Sequence, residues 1–144
     1  MRKETIKMVV TDLDGTLLNG ERRVSGRDRK TLVRLGSQGI TRVIATGRSP
    51  FSFERVLPSD FPLDYMIFSS GAGLMDWDSK ELVRTASIGE ETVRCLAADL
   101  IKRDLNFMIQ LPIPDNHEFY YHRAESTSRD FFSRISLYKE HCSP

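Results

Sequence analysis

The stretch "VVTDLDGTLL", residues 9–18, decides the reading of this chain. β-branched residues run directly into two carboxylates, Asp12 and Asp14, one residue apart, with Gly15 and Thr16 behind them. The apolar run "IKMVVT" (6–11), bounded by the Asp14-Gly15 turn signal, is a buried strand by composition and length. A strand that ends by aiming two anions at one place needs a counter-charge. Hard oxygen donors of this kind suit Mg²⁺.

The surrounding sequence repeats the pattern. "VSGRDRKTLVRLGSQG" (24–39) reads as a helix, with Ser25 as its cap, Asp28 in the first turn, Leu32 and Leu35 on one face, and Gly39 at its end. "ITRVIAT" (40–46) is a second strand running into Thr46-Gly47-Arg48. Pro50 suits the first turn of a short helix through Val56. "DYMIFSS" (64–70) is a third strand, ending at Ser70-Gly71. Strands alternating with helices imply right-handed crossovers and a parallel sheet. All three polar turns then lie at the carboxyl ends of the strands, where open α/β sheets bind ligands.

Beyond Ala72 the rhythm changes. Residues 73–87 read as a hairpin turning near Asp78-Ser79-Lys80, and 89–104 as an amphipathic helix with Val93, Leu96, Ala97, Leu100 and Ile101 at helical spacing. "LNFMIQL" (105–111) and "HEFYYHR" (117–123) read as strands, and 126–141 as a helix capped near Ser126 or Ser128. A boundary near Arg84 is expected, dividing a parallel α/β half (1–84) from a smaller α+β unit (85–144). His117 and His122, five apart on one strand, would point to opposite faces and share no metal. The stretch Phe119-Tyr120-Tyr121, with Phe131 and Phe132, is expected to be packed structure rather than a base-stacking platform.

Composition narrows the function classes. The chain has 144 residues, 40% hydrophobic and 28% charged, with a net charge of +1. That balance suits a folded domain and supplies no field to recruit nucleic acid or an anionic membrane. The basic run "ERRVSGRDRK" (21–30) is broken by Glu21 and Asp28 and reads as a solvated helix face. Cys95 and Cys142 have no metal-ligand spacing and are expected to be reduced thiols. The charged stretch Met1–Lys7 is unlike a signal peptide, and no uninterrupted apolar run is long enough to span a bilayer. A cytoplasmic location is expected.

With a divalent ion present, the paired acids divide the labour. Asp12 can attack phosphorus and form an aspartyl-phosphate, while Asp14 protonates the leaving oxygen and later activates water. Gly15 permits the sharp turn. The Thr46 hydroxyl and the Gly47 N–H suit non-bridging phosphate oxygens.

"DLDGT" (12–16) followed by "ATGR" (45–48) resembles motifs one and two of the haloacid dehalogenase (HAD) superfamily, and the flanking residues resemble its Cof-type sugar-phosphatase branch. A D-x-D-G-T pattern arises by chance in about one chain in a thousand of this size. The resemblance implies a Rossmann-like parallel core with an α/β cap inserted after the third core strand, here a partial core followed by a partial cap. Asp12 would be the nucleophile and Asp14 the general acid/base. The Asp12 carboxylate and the Asp14 main-chain carbonyl would hold Mg²⁺, Thr46 would bind phosphate, and Arg48 would lie near the substrate or the cap. Ser70-Gly71-Ala72 falls where the branch usually carries Asn-Gly-Ala, either touching substrate or simply joining sheet to hairpin. The substrate would be a small phosphorylated metabolite such as a sugar phosphate.

Two family motifs are absent from these residues. After Ala72 there is no "GD" pair, and Lys80, Lys102 and Lys139 all fall in the hairpin or the partial cap. Each missing electrostatic partner is expected to cost on the order of 10²–10³ in rate. Uncovered by further strands, the first strand would present an apolar edge prone to self-association. The expectation is therefore an incomplete HAD phosphatase chain of low activity. Its alternatives are a silent phosphate-binding module, a reduced protein completed by a partner, and phosphomutase-like transfer.

Overall fold

The computed structural model describes residues 5–125 and 128–144. The first four residues of the charged opening stretch and the alternative cap Ser126 lie outside the described residues. The chain divides into two compact units, Met1–Ala86 and Ser87–Pro144.

The first unit is built on a five-stranded sheet in the order β1-β2-β3-β4-β5. Strands β1 (Met8–Asp12), β2 (Thr41–Ala45) and β3 (Tyr65–Phe68) run parallel, and β4 (Gly73–Asp76) and β5 (Leu82–Thr85) extend the sheet as an antiparallel hairpin. The sheet is therefore mixed, an α/β architecture with a parallel core. β1 begins two residues later than the apolar run suggests and takes in Asp12, which pairs with Ala45 as the last rung of the ladder.

Helix α1 (Gly26–Ser37) starts where capping chemistry requires. The Ser25 hydroxyl oxygen accepts from the Asp28 N–H at 3.1 Å, and its O–H donates to the Asp28 carboxylate at 2.6 Å. Helix α2 (Pro50–Glu54) is shorter than expected, with Ser49 capping it through the Ser52 N–H. Leu13, Leu18, Ile44, Phe53, Met66 and Phe68 are the fully buried side chains. Adjacent Val43 and Ile44 are both buried, as a central strand covered on both faces demands.

Two contacts lock this unit. The Arg42 guanidinium donates twice to Asp64, at 2.6 and 3.0 Å, and the Arg42 N–H donates a third bond at 2.6 Å, tying β2 to the start of β3. The same guanidinium lies against Gly36, where a Cβ would force it to shift from its place on Asp64. The Phe68 ring covers Gly73, its cross-strand partner, where a Cβ would collide with the ring.

At the hairpin turn the Asp76 carboxylate accepts from the N–H groups of Asp78 and Ser79 and from the Ser79 hydroxyl. Lys80 takes a positive φ. Among the described residues β1 stands at the sheet edge with one neighbour, and Met8 and Val10 are each 53% exposed, so the strand expected to be buried is corrected to a half-exposed edge strand.

The second unit holds helix α3 (Glu90–Lys102), strands β6 (Phe107–Gln110) and β7 (Phe119–His122), helix α4 (Arg129–Leu137) and the two-residue strand β8 (Cys142–Ser143). β6 and β7 are antiparallel, and β8 joins β7 in parallel. Nothing in the residue pattern signals β8. Ser128 caps α4 through the Phe131 N–H. Phe119 and Phe131 are buried, whereas Tyr120 faces outward. His122 closes β7 and stacks on Phe107, but His117 lies in the turn before the strand. The expectation that both histidines sit on one strand is corrected accordingly. No helix among the described residues is long and apolar enough to cross a membrane.

Candidate active site

Parallel pairing carries the carboxyl ends of β1, β2 and β3 to one edge of the first unit, and side chains from all three turns meet there. Asp12 is the last residue of β1. Its exposed carboxylate receives a long hydrogen bond, 3.5 Å, from the Thr16 hydroxyl. Gly15 takes φ +74, a left-handed conformation that costs an L side chain energy, and its turn closes through the Leu18 N–H on the Leu13 carbonyl at 2.8 Å. The chain therefore reverses directly after Asp14.

The counter-charge to the paired acids comes from the second turn. The Arg48 guanidinium grips Asp14 with two bonds, Nε to Oδ2 at 2.8 Å and Nη2 to Oδ1 at 2.7 Å. Its remaining arm, Nη1, donates to the Ser52 carbonyl at 3.1 Å. The hydrogen bonds from Arg48 hold the Asp14 carboxyl below the usual aspartate range. Partial burial opposes this, and the Arg48 and Arg22 charges add to it. Sequence reasoning assigns relief of the Asp12–Asp14 repulsion to a cation. In the folded unit an arginine already supplies it for Asp14.

Thr46 is buried, at 6% exposure, and Gly47 is exposed. The Thr46 hydroxyl oxygen accepts from the Arg48 N–H at 3.2 Å, which curls the turn and leaves the hydroxyl proton to donate elsewhere. The third turn, Ser69–Gly71, supports the second from behind. The Ser69 and Ser70 N–H groups donate to the carbonyls of Arg48 and Thr46, at 2.9 and 3.1 Å. A Cβ on Gly47 would come within 3.5 Å of the Ser70 hydroxyl, so those two residues are neighbours. Ser69, Ser70 and Gly71 all have positive φ. Thus Asp12, Asp14, Thr46, Gly47, Arg48, Ser70 and Gly71 gather at one edge, but the backbone of 69–70 faces the 46–48 turn.

Mg²⁺ fits this donor set in part. Asp12 offers an exposed carboxylate with no ion pair among the described residues, and Asp14 has its side chain occupied, which leaves its main-chain carbonyl as the donor. Both are hard oxygens, suited to the ion.

Similarity to known proteins accords with this geometry. The haloacid dehalogenase-like hydrolase family model matches residues 9–142. The chain is 29% identical over 104 residues to the 5-amino-6-(5-phospho-D-ribitylamino)uracil phosphatase YwtE of Bacillus subtilis (strain 168), covering 72% of this chain and 35% of that protein. It is 34% identical over 74 residues to a second phosphatase so named, YcsE of the same organism, covering 51% of this chain and 29% of the relative. Among solved structures, BT1666 from Bacteroides thetaiotaomicron, described among phosphatases of the haloalkanoate (HAD) enzyme superfamily, superposes with a TM-score of 0.73 at 26% identity. The match covers 94% of this chain and 47% of that one. The chain thus spans half or less of the length of these relatives. With the DLDGT turn, the TGR turn and the mixed sheet all within the matched region, the chain belongs to the haloacid dehalogenase-like hydrolase family.

Proposed function

We propose that this chain carries the nucleophile half of a Mg²⁺-dependent phosphatase acting on a small phosphorylated metabolite, with a sugar phosphate or related polyol phosphate as the substrate class. The observation that supports this most strongly is the meeting of Asp12 with the Thr46–Gly47 turn across adjacent parallel strand ends, with Arg48 reaching back to Asp14. The names of the two Bacillus relatives, phosphatases of a phosphoribityl compound, agree with the substrate class.

Asp12 attacks phosphorus in line with the ester oxygen and becomes the aspartyl-phosphate. The Thr46 hydroxyl and the Gly47 N–H donate to the non-bridging oxygens as charge builds on them. When bound, Mg²⁺ would be held by the Asp12 carboxylate and the Asp14 carbonyl and would neutralise phosphate charge. Asp14 delivers the proton to the leaving alkoxide and takes one from the attacking water in the second half-reaction. It can do so only after its carboxyl is protonated, and its ion pair with Arg48 opposes protonation. An incoming phosphate competes for the guanidinium, which releases the acid where it is needed. In this reading residues 1–84 are the catalytic core and 85–144 belong to the cap.

These 144 residues contain neither the lysine nor the second acidic loop of the complete family site, so turnover by them alone is expected to be slow. Release of inorganic phosphate from p-nitrophenyl phosphate, with Mg²⁺ and with EDTA, tests the reading. Weak Mg²⁺-dependent hydrolysis that disappears in Asp12→Asn supports it, and equal hydrolysis by that variant overturns it. The closed Asp14–Arg48 pair favours a second reading, a silent phosphate-binding module. Binding of inorganic phosphate at the turn with no hydrolysis would decide for that reading.

A further inference from the structure

The second unit brings together three metal-ligating side chains that the phosphatase chemistry does not use. His117 and Glu118 occupy the turn that leads into β7, and His141 immediately precedes β8. One ligating atom from each lies within 4.8 Å of the others. The two imidazole rings meet edge-on with centroids 5.1 Å apart, and His117 Nε2 stands 4.0 Å from Glu118 Oε1. We propose that His117, Glu118 and His141 form a zinc-binding site with a water molecule as fourth ligand.

The donor chemistry suits a borderline transition metal rather than a hard cation, and zinc is the redox-inert member of that group. Two imidazoles and one carboxylate are the borderline set that zinc takes in tetrahedral sites with an open position, and they are poor ligands for Mg²⁺ or Ca²⁺. Donor atoms around tetrahedral zinc stand about 3.4 Å apart, so each ligating atom must move inward by less than about 1 Å. The backbone is already fixed for this. The Glu118 N–H donates to the Asp115 carbonyl at 2.8 Å, the Leu111 N–H to the Glu118 carbonyl at 2.9 Å, and the Phe119 N–H to the His141 carbonyl at 3.0 Å. The His141 N–H donates to the Tyr138 carbonyl at 2.8 Å. Only side-chain torsions have to change, and the exposed Glu118 is free to swing. Cys142, next in sequence to His141, turns its Sγ towards the Ile135 carbonyl and stands apart from the trio.

The consequence is structural. Among the described residues, the two-residue β8 pairs only with β7. A bound ion would fasten the residue before β8 to the β6–β7 connection, clamping β8 to the sheet.

The test is calorimetric titration of the purified, chelator-treated 144-residue chain with Zn²⁺, repeated on Glu118→Gln and His141→Asn. One ion per chain in the wild type, with affinity at least about tenfold weaker in both variants, is the expected result. Far-UV circular dichroism controls for folding, and the exposed Glu118 side chain can be changed without disturbing a core. Substitution by Co²⁺ should give a nitrogen- and oxygen-ligand spectrum without the near-ultraviolet thiolate band. Unchanged affinity in either variant, a thiolate band, or no binding at 100-fold excess of zinc would overturn the site.

Discussion

The tie between Arg48 and Asp14 makes a prediction that can be worked through in numbers. Replacing Arg48→Met keeps the stem of the side chain and removes the guanidinium, with its two bonds to Asp14 and its bond to Ser52. The Asp14 side chain is 51% exposed, so solvent screens the ion pair heavily and its share is about 0.5–1 kcal/mol, near the top of the range for exposed pairs because it is bidentate. The Ser52 bond adds about 1 kcal/mol. At neutral pH the variant should be less stable by about 1–2 kcal/mol, a fall of roughly 4–15 °C in Tm for a unit of this size. The two shares separate with pH. Asp14 has its carboxyl held below the ordinary aspartate range in the folded state, so its contribution is complete above that range and is lost as pH falls through the folded value. The bond to Ser52 does not titrate.

The gap between wild type and variant should therefore shrink towards the Ser52 share as pH falls through and below the ordinary aspartate range. Urea unfolding followed by the single tryptophan, Trp77, buried in the first unit, reads this directly. Carbon-13 NMR of the Asp14 carboxyl reads its titration, which should move upward in Arg48→Met. A stability gap that does not change with pH, or an Asp14 that titrates identically in both proteins, would refute the reasoning.

Two further outcomes follow from packing and edge chemistry. Gly73→Ala drives a methyl into the fully buried Phe68 ring, which must shift within the core, and should destabilise the first unit by about 2–3 kcal/mol in urea unfolding. A loss below about 0.5 kcal/mol would show that the ring can move aside. Val10→Lys puts a charge on the exposed edge strand and should lower the self-association expected of the wild type, seen as a smaller weight-average mass in sedimentation between about 10 and 200 μM. A wild type that stays monomeric throughout would remove the edge as an association surface.

The core of the fold was legible because its signals are local. Short β-branched runs ending in Asp-Gly, Thr-Gly and Ser-Gly mark the three parallel strands, and Ser25, Pro50 and Ser128 mark helix starts through their own local chemistry. The gathering of Asp12, Asp14, Thr46 and Arg48 followed from strand direction alone. What sequence could not supply depends on reach between distant segments. Arg48 reads naturally as a substrate contact, and only the adjacency of β1 and β2 shows that its guanidinium closes on Asp14. β8 is too short to carry a pattern. Helix α3 has the amphipathic spacing of a core helix, yet Leu96 and Ile101 remain half-exposed, because periodicity shows which residues share a face and not what covers it. His141 has no metal-ligand spacing in sequence to His117 and Glu118, which lie more than twenty positions earlier, so only the folded second unit brings the three together.

The central claim is that Asp12 is the carboxylate that receives the phosphoryl group. Beryllofluoride mimics that group on an aspartate, so fluorine-19 NMR of the chain with Mg²⁺ and BeF₃⁻ tests the claim most directly. A bound fluorine signal that vanishes in Asp12→Asn and persists in Asp14→Asn is the predicted result. A bound signal that survives in Asp12→Asn, or saturating BeF₃⁻ that leaves the wild-type spectrum free of any bound species, would contradict it.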